Sequence, residues 1–137
     1  MKTKSIRQSV TIGAKPREVF EALMDSKKHA KFTGGPAKIS RKVGGKFTVH
    51  GDYITGENLE IIPDKKIVQT WVSSDLPKGI ATKVTFHLRP DKGRTKLSFT
   101  HSGVPENRYE DLRKGWIDFY WEPLKQMFRN KYVNQSD

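Results

Sequence analysis

Residues 107–131 read NRYEDLRKGWIDFYWEPLKQMFRNK, and the spacing of their large side chains decides the fold. Leu112, Trp116, Phe119, Tyr120, Leu124, Met127 and Phe128 recur every three or four residues, which places them on one side of a helix. Asn107 followed three residues later by Glu110 is a capping-box pattern that opens it. Run to about Lys131, the helix is about 35 Å long at about 1.5 Å per residue, enough to span a whole sheet. Gly115 weakens it through backbone entropy. Pro123 deletes the hydrogen bond from its own nitrogen to the carbonyl of Phe119, so a bend is expected there.

The chain upstream reads as that sheet. Ile6, Val10 and Ile12 sit at even spacing in a first strand, about residues 4–12. Pro16 then suits the first position of a short helix whose apolar side is Val19, Phe20 and Leu23. Ser26 is placed to cap a second short helix through Ala30 and Phe32, ended by Gly34-Gly35-Pro36. From Lys38 to His101 strands alternate with turns at Gly44-Gly45, Pro63-Asp64 and Pro90-Asp91-Lys92-Gly93. Alternation puts Phe47, Val49 and Tyr53 on one face, Leu59 with Ile61, Val84 with Phe86 and Leu88, and Leu97 with Phe99. The strand 67–72, ending near Trp71, is apolar on both sides, so parity leaves its inward face open. An antiparallel meander follows. No repeat or linker marks a boundary within residues 1–137, so one domain is expected, with a disordered tail over about 132–137.

Composition narrows the chemistry. The 137 residues contain no cysteine, which excludes disulfides, thiolate nucleophiles and cysteine metal sites and suits a reducing, cytoplasmic setting. No apolar run approaches the roughly 20 residues that cross a bilayer, and no signal-peptide core follows Met1. The net charge of +11 is uneven: residues 1–46 hold 12 Lys and Arg against 3 acids, the rest 14 against 12. Such a face either keeps a protein soluble or meets an acidic partner.

The segments KKIVQTW (65–71), VTFHL (84–88), TKLSFTHSGVP (95–105) and RKGWIDFYWEPLKQMF (113–128) resemble the C-terminal domain of activators of the ninety-kilodalton heat-shock chaperone's ATPase. The resemblance covers about residues 6–131 and implies an α+β, helix-grip (START-like) fold. In that fold a curved antiparallel sheet wraps a long C-terminal helix, with two short helices after the first strand. It also implies a non-enzymatic binding role, chaperone-interacting or stress-regulatory. Family members that stimulate the chaperone carry a further N-terminal domain for which this chain has no room, so activation by this stretch alone is not expected.

Set against that, the residues offer little catalytic chemistry. His29, His50, His87 and His101 are 21, 37 and 14 residues apart, so none forms a short-spaced metal pair, and no metal or cofactor is expected. Parity turns His50 and His87 to solvent and only His101 inward. Gly44-Gly45-Lys46 lacks the upstream glycine of a phosphate loop, and no nucleotide or nucleophile-elbow motif is present. Glu110-Asp111 diverge on their helix and suit its dipole. Two site candidates remain. Phe47, Tyr53, Phe86, Phe99, His101, Trp116, Phe119 and Tyr120 line either a solid core or a cavity for a small hydrophobic ligand. Lys27, Lys28, Lys31, Lys38, Arg41, Lys42 and Lys46 form a basic surface for an acidic protein. Only Phe32 interleaves with them, too little stacking for nucleic acid. A cyclase- or aromatase-like enzyme is the third reading, with His101 and Tyr53 as its acid–base pair.

Overall fold

The computed structural model describes residues 2–76 and 80–136, with side chains described as far as Arg129. Seven antiparallel strands form one sheet in the order β1-β7-β6-β5-β4-β3-β2. These are β1 (Thr3–Ile12), β2 (Ala37–Ile39), β3 (Lys46–Val49), β4 (Ile54–Ile62), β5 (Lys66–Ser73), β6 (Thr82–Asp91) and β7 (Arg94–Pro105). From β2 to β7 the sheet is the expected meander. The first strand instead returns to pair with the last, from Thr3 opposite Pro105 to Ile12 opposite Thr95. Helices α1 (Pro16–Met24) and α2 (Ser26–Thr33) fill the connection between β1 and β2. They bury Val19, Phe20, Leu23 and Met24 from the one and His29 and Phe32 from the other. Gly34 ends α2 in the left-handed region, φ 79°, where a side chain would be strained.

The helix-grip expectation holds: the final helical segment lies on the curved sheet with Trp116, Tyr120, Trp121, Leu124 and Phe128 buried. It is not one regular rod. A 3-10 turn, Glu106–Arg108, leads into α3 (Tyr109–Trp116), a π-helical turn spans Ile117–Trp121, and α4 runs Glu122–Ser136. The bend expected at Pro123 is thus taken up one turn earlier. A widened turn, closed by Glu122 N–H on Ile117 O, lets a helix accept a residue that can neither donate a bond nor fit its ring against the preceding carbonyl. The extra residue also brings adjacent Tyr120 and Trp121 inward together and leaves Phe119 60% exposed. The 132–137 tail lies outside the residues whose side chains are described.

Several local expectations are corrected. Asn107 does not cap, because the helix starts two residues later and Glu110 is engaged by Arg113. Asp25, not Ser26, caps α2 by accepting from Lys28 N at 3.0 Å, while Ser26 Oγ accepts from Ile39 N at 2.8 Å and ties α2 to β2. Tyr53 lies in the turn before β4, with Ile54 taking the inward position. A register shift between Asn58 and Glu60 moves Leu59 to the surface and puts Asn58, fully buried, on the inner side. In β5 the inward set is Ile67, Gln69 and Trp71. A polar Gln69 in the middle of that set is why parity failed to choose.

Two side-chain bonds clamp the helix to the sheet edge. Trp121 Nε1 donates to Gln8 Oε1 at 2.6 Å, and Gln8 Nε2 donates to the Arg113 carbonyl at 3.1 Å. One β1 amide therefore holds both sides of the π turn.

Candidate functional site

Between the sheet and α3 lies an open cleft of about 360 Å³. Its floor comes from Trp71 and Ser73 of β5, Thr82 of β6 and His101 of β7. Its roof is Leu112, Gly115, Trp116, Phe119 and Tyr120, and its rim carries His50, Tyr53, Leu76, Arg108 and Asp111. Of the eight residues proposed from sequence, Tyr53, His101, Trp116, Phe119 and Tyr120 line this cleft. Phe47 and Phe86 instead border a void of about 10 Å³, room for about one water. Phe99 is 2% exposed and packs on Trp116, ring centroids 4.3 Å apart, as part of the solid core.

Most interior polar groups are bonded to one another, His29 Nδ1 and Arg108 Nε being buried without a partner. Trp116 Nε1 donates to His101 Nδ1 at 3.0 Å, so Nδ1 is the bare nitrogen and the proton sits on Nε2. Nε2 then donates to Thr82 Oγ1 at 2.7 Å, and that hydroxyl passes its own proton to the Trp71 carbonyl at 2.8 Å. His101 is a link in a satisfied chain. Tyr120 Oη lies 3.1 Å from His29 Nε2 and 3.4 Å from His50 Nε2, donating to one while accepting from the other. Burial pushes the Tyr120 phenol well above its usual range.

This second cluster corrects the sequence reading, which turned His50 outward and gave His29 no role. His29 is 4% exposed. Its position three residues before Phe32 on a short helix was the available signal. His50 is half-buried because it begins the turn after β3 at φ 56°, where alternation no longer applies. His87 is exposed, as parity indicates.

Burial holds both interior histidines neutral, His101 down to about 4 and His29 to about 3, His50 adding repulsion at the latter. In the unfolded chain each titrates near 6.5. Between those values the unfolded state therefore binds more protons, and stability is lost as pH falls. The expected result is a urea midpoint that is flat above pH 7. It then declines from about pH 6.5 toward pH 4, by at most about 1.4 kcal/mol per pH unit per histidine. A midpoint unchanged between pH 7 and pH 5 contradicts the neutral, buried assignment.

At the mouth, Arg108 bonds Asp75 at 2.6 Å and Asp111 at 3.5 Å, joining the loop after β5 to the start of the helix. The Ser73 hydroxyl, bonded to Asp75, then the Tyr53 hydroxyl and then Arg108 hold that carboxyl below its usual range. The seven proposed basic residues are all exposed. They lie on α2, β2, β3 and the segment between those two strands, at the sheet edge formed by β2. Arg41 is paired with Glu21 at 2.5 Å. Among the described residues, no helix is long and apolar enough to cross a membrane. Nor, among them, does any group of three or more His, Asp or Glu side chains have metal-holding geometry.

A cleft held open between a curved sheet and its grip helix defines a START-like helix-grip domain. The chain belongs to the family described as Activator of Hsp90 ATPase homolog 1-like protein, whose pattern matches residues 13–129. It is 29% identical over 126 residues to the human Activator of 90 kDa heat shock protein ATPase homolog 1, covering 92% of this chain and 37% of that protein. The Dictyostelium discoideum Activator of 90 kDa heat shock protein ATPase homolog is 28% identical over 127 residues, covering 92% and 33%. The chain thus spans about a third of the length of these curated relatives. Among solved structures, a Plasmodium falciparum protein described as an HSP90 activator superposes with a TM-score of 0.83 at 27% identity, covering 90% of this chain and 95% of that one.

Proposed function

We propose that this chain is a non-enzymatic binding protein that docks on a ninety-kilodalton heat-shock chaperone through its basic edge. The observation that carries the reading is the coincidence of family membership with seven exposed Lys and Arg side chains on α2, β2, β3 and the segment between those strands. Long-range attraction of such an edge for an acidic surface speeds encounter and fixes orientation. The non-catalytic part is supported by His101, both of whose ring nitrogens are already engaged. The Tyr53–His101 pair of the cyclase-like reading therefore lacks a free base.

Calorimetric titration of the chaperone with this chain tests it. Binding is expected at about 50 mM salt and weakens as salt shortens the reach of charge. The triple variant Lys27→Glu, Lys28→Glu, Lys31→Glu lowers affinity about tenfold or more with an unchanged melting temperature. No binding at low salt, or an unaffected triple variant, overturns the reading.

The 360 Å³ cleft favours a second reading, in which the chain carries or senses a small hydrophobic ligand. The two are compatible, since the basic edge and the cleft use different residues.

A further inference from the structure

We propose that the cleft receives an uncharged, flat aromatic molecule and discriminates against carboxylates. This rests on the second reading above and narrows it to a chemical class.

The shape comes first. Trp71 and Trp116 lie with ring centroids 4.8 Å apart, Trp116 and Tyr120 at 4.5 Å, and Phe119 stands at the edge with most of its ring exposed. Ile54, Leu76 and Leu112 complete the apolar lining. Trp71, Trp116 and Tyr120 offer the cleft only their margins, so a flat π-system meets those edges and the open ring of Phe119 by edge-to-face packing, an attraction beyond area alone. The volume is at the small end for ligand sites, about two or three fused rings.

The polar groups decide the charge. His101, Thr82 and the Tyr120 hydroxyl all have their bonds inside the protein, and Ser73 is taken by Asp75. The Arg108 Nε–H is unbonded but enclosed, so a charged group carried into the cleft loses water for little return. Arg108 and Asp111 are the charged side chains in the lining. The Arg108 terminal nitrogens are already shared between Asp75 and Asp111, so the mouth holds one cation against two carboxylates. That balance gives an incoming carboxylate no net attraction at the mouth, even in a chain whose net charge is +11, so nothing offsets its lost water. An ammonium gains little in return, because the Asp111 side chain is 73% exposed and its field is screened.

Gly115 makes the inference testable without breaking the fold. A Cβ built there meets only Phe119 Cδ2, at 3.9 Å, and otherwise points into the cleft. A leucine therefore fills the space while improving helix propensity. The experiment titrates the ¹⁵N-labelled chain at pH 7.5 with 2-naphthol, 2-naphthoate and 2-naphthylmethylammonium, following the indole N–H signals of Trp71 and Trp116. The neutral probe is expected to shift both signals and to bind about tenfold or more tighter than either charged analogue. Gly115→Leu abolishes the shifts at an equal or higher melting temperature. Gly115→Ala, adding one methyl, keeps the fold and weakens binding less. If the naphthoate or the ammonium binds as tightly as 2-naphthol, the charge selectivity falls and the cleft stands as a ligand site. If no probe moves the indole signals, or the shifts survive Gly115→Leu, the cleft reading falls as well.

Discussion

Trp116→Ala is expected to lower folding stability by about 3–5 kcal/mol, read as a fall in urea midpoint without a large change in slope. The ring is 4% exposed and meets Phe99, Tyr120 and Trp71 at centroid distances of 4.3, 4.5 and 4.8 Å. Removing it joins the empty volume to a cleft already open to solvent. Water can enter the enlarged space, which holds the cost toward the lower end of that range. The indole N–H also fixes the His101 tautomer through the 3.0 Å bond to Nδ1. Trp116→Phe keeps most of the ring and loses that bond, at a cost of about 1–3 kcal/mol for the orphaned acceptor. In both variants His101 titrates closer to 6.5, visible by NMR. A loss under about 1 kcal/mol in Trp116→Ala contradicts the packing of the grip helix on the sheet.

Asn58→Ala is expected to cost about 3 kcal/mol or more although it removes only a small polar side chain. Asn58 is fully buried, and Nδ2 donates to the carbonyls of Ser40 at 2.7 Å and Lys42 at 3.0 Å. Its Oδ1 accepts from Gln69 Nε2 at 3.0 Å, and Gln69 Oε1 in turn accepts from Trp71 Nε1 at 3.2 Å. Alanine strips the Ser40 carbonyl of its side-chain donor, leaves the Lys42 carbonyl with Gly45 N–H, and leaves the Gln69 amide with a weak contact to Met24 Sδ at 4.0 Å. Leucine fares no better, since filling the space does not satisfy them. Gln69→Leu is the control. It breaks only the side-chain links and costs less, about 1–2 kcal/mol, with the Trp71 indole N–H losing its exchange protection. An Asn58→Ala variant within about 0.5 kcal/mol of the parent overturns the account.

These two residues mark the boundary of what the sequence could show. Trp116 was legible because its environment follows from period: helical spacing puts it inward, and the family-like segment 113–128 supplies the sheet it rests on. Asn58 was not, because its inward turn depends on a one-residue register shift that no local pattern announces. The same shift turned Leu59 outward. The π turn is a third case, in which Pro123 predicted a disturbance and only the three-dimensional chain shows its form. Helical spacing placed Phe119 with Trp116 in the roof, where it lies largely exposed, while the inserted residue brings Trp121 inward, which that spacing did not show. The cleft was half legible. Its aromatic wall came from periodicity, while His50, Arg108 and Asp111 enter from turns and a helix start, where no period applies. The charge balance at the mouth rests on those residues.

The pairing of β1 with β7 sets the order of events when the chain is made. Thr95, opposite Ile12, is synthesised more than 80 residues later, and Pro105, opposite Thr3, about 100 residues later. At about 5–20 residues per second a ribosome needs on the order of ten seconds to supply that partner. Throughout this time the nascent β1 has backbone donors and acceptors with no strand to meet them. Closure of the sheet thus waits for most of the domain to be made, and its completion is slow.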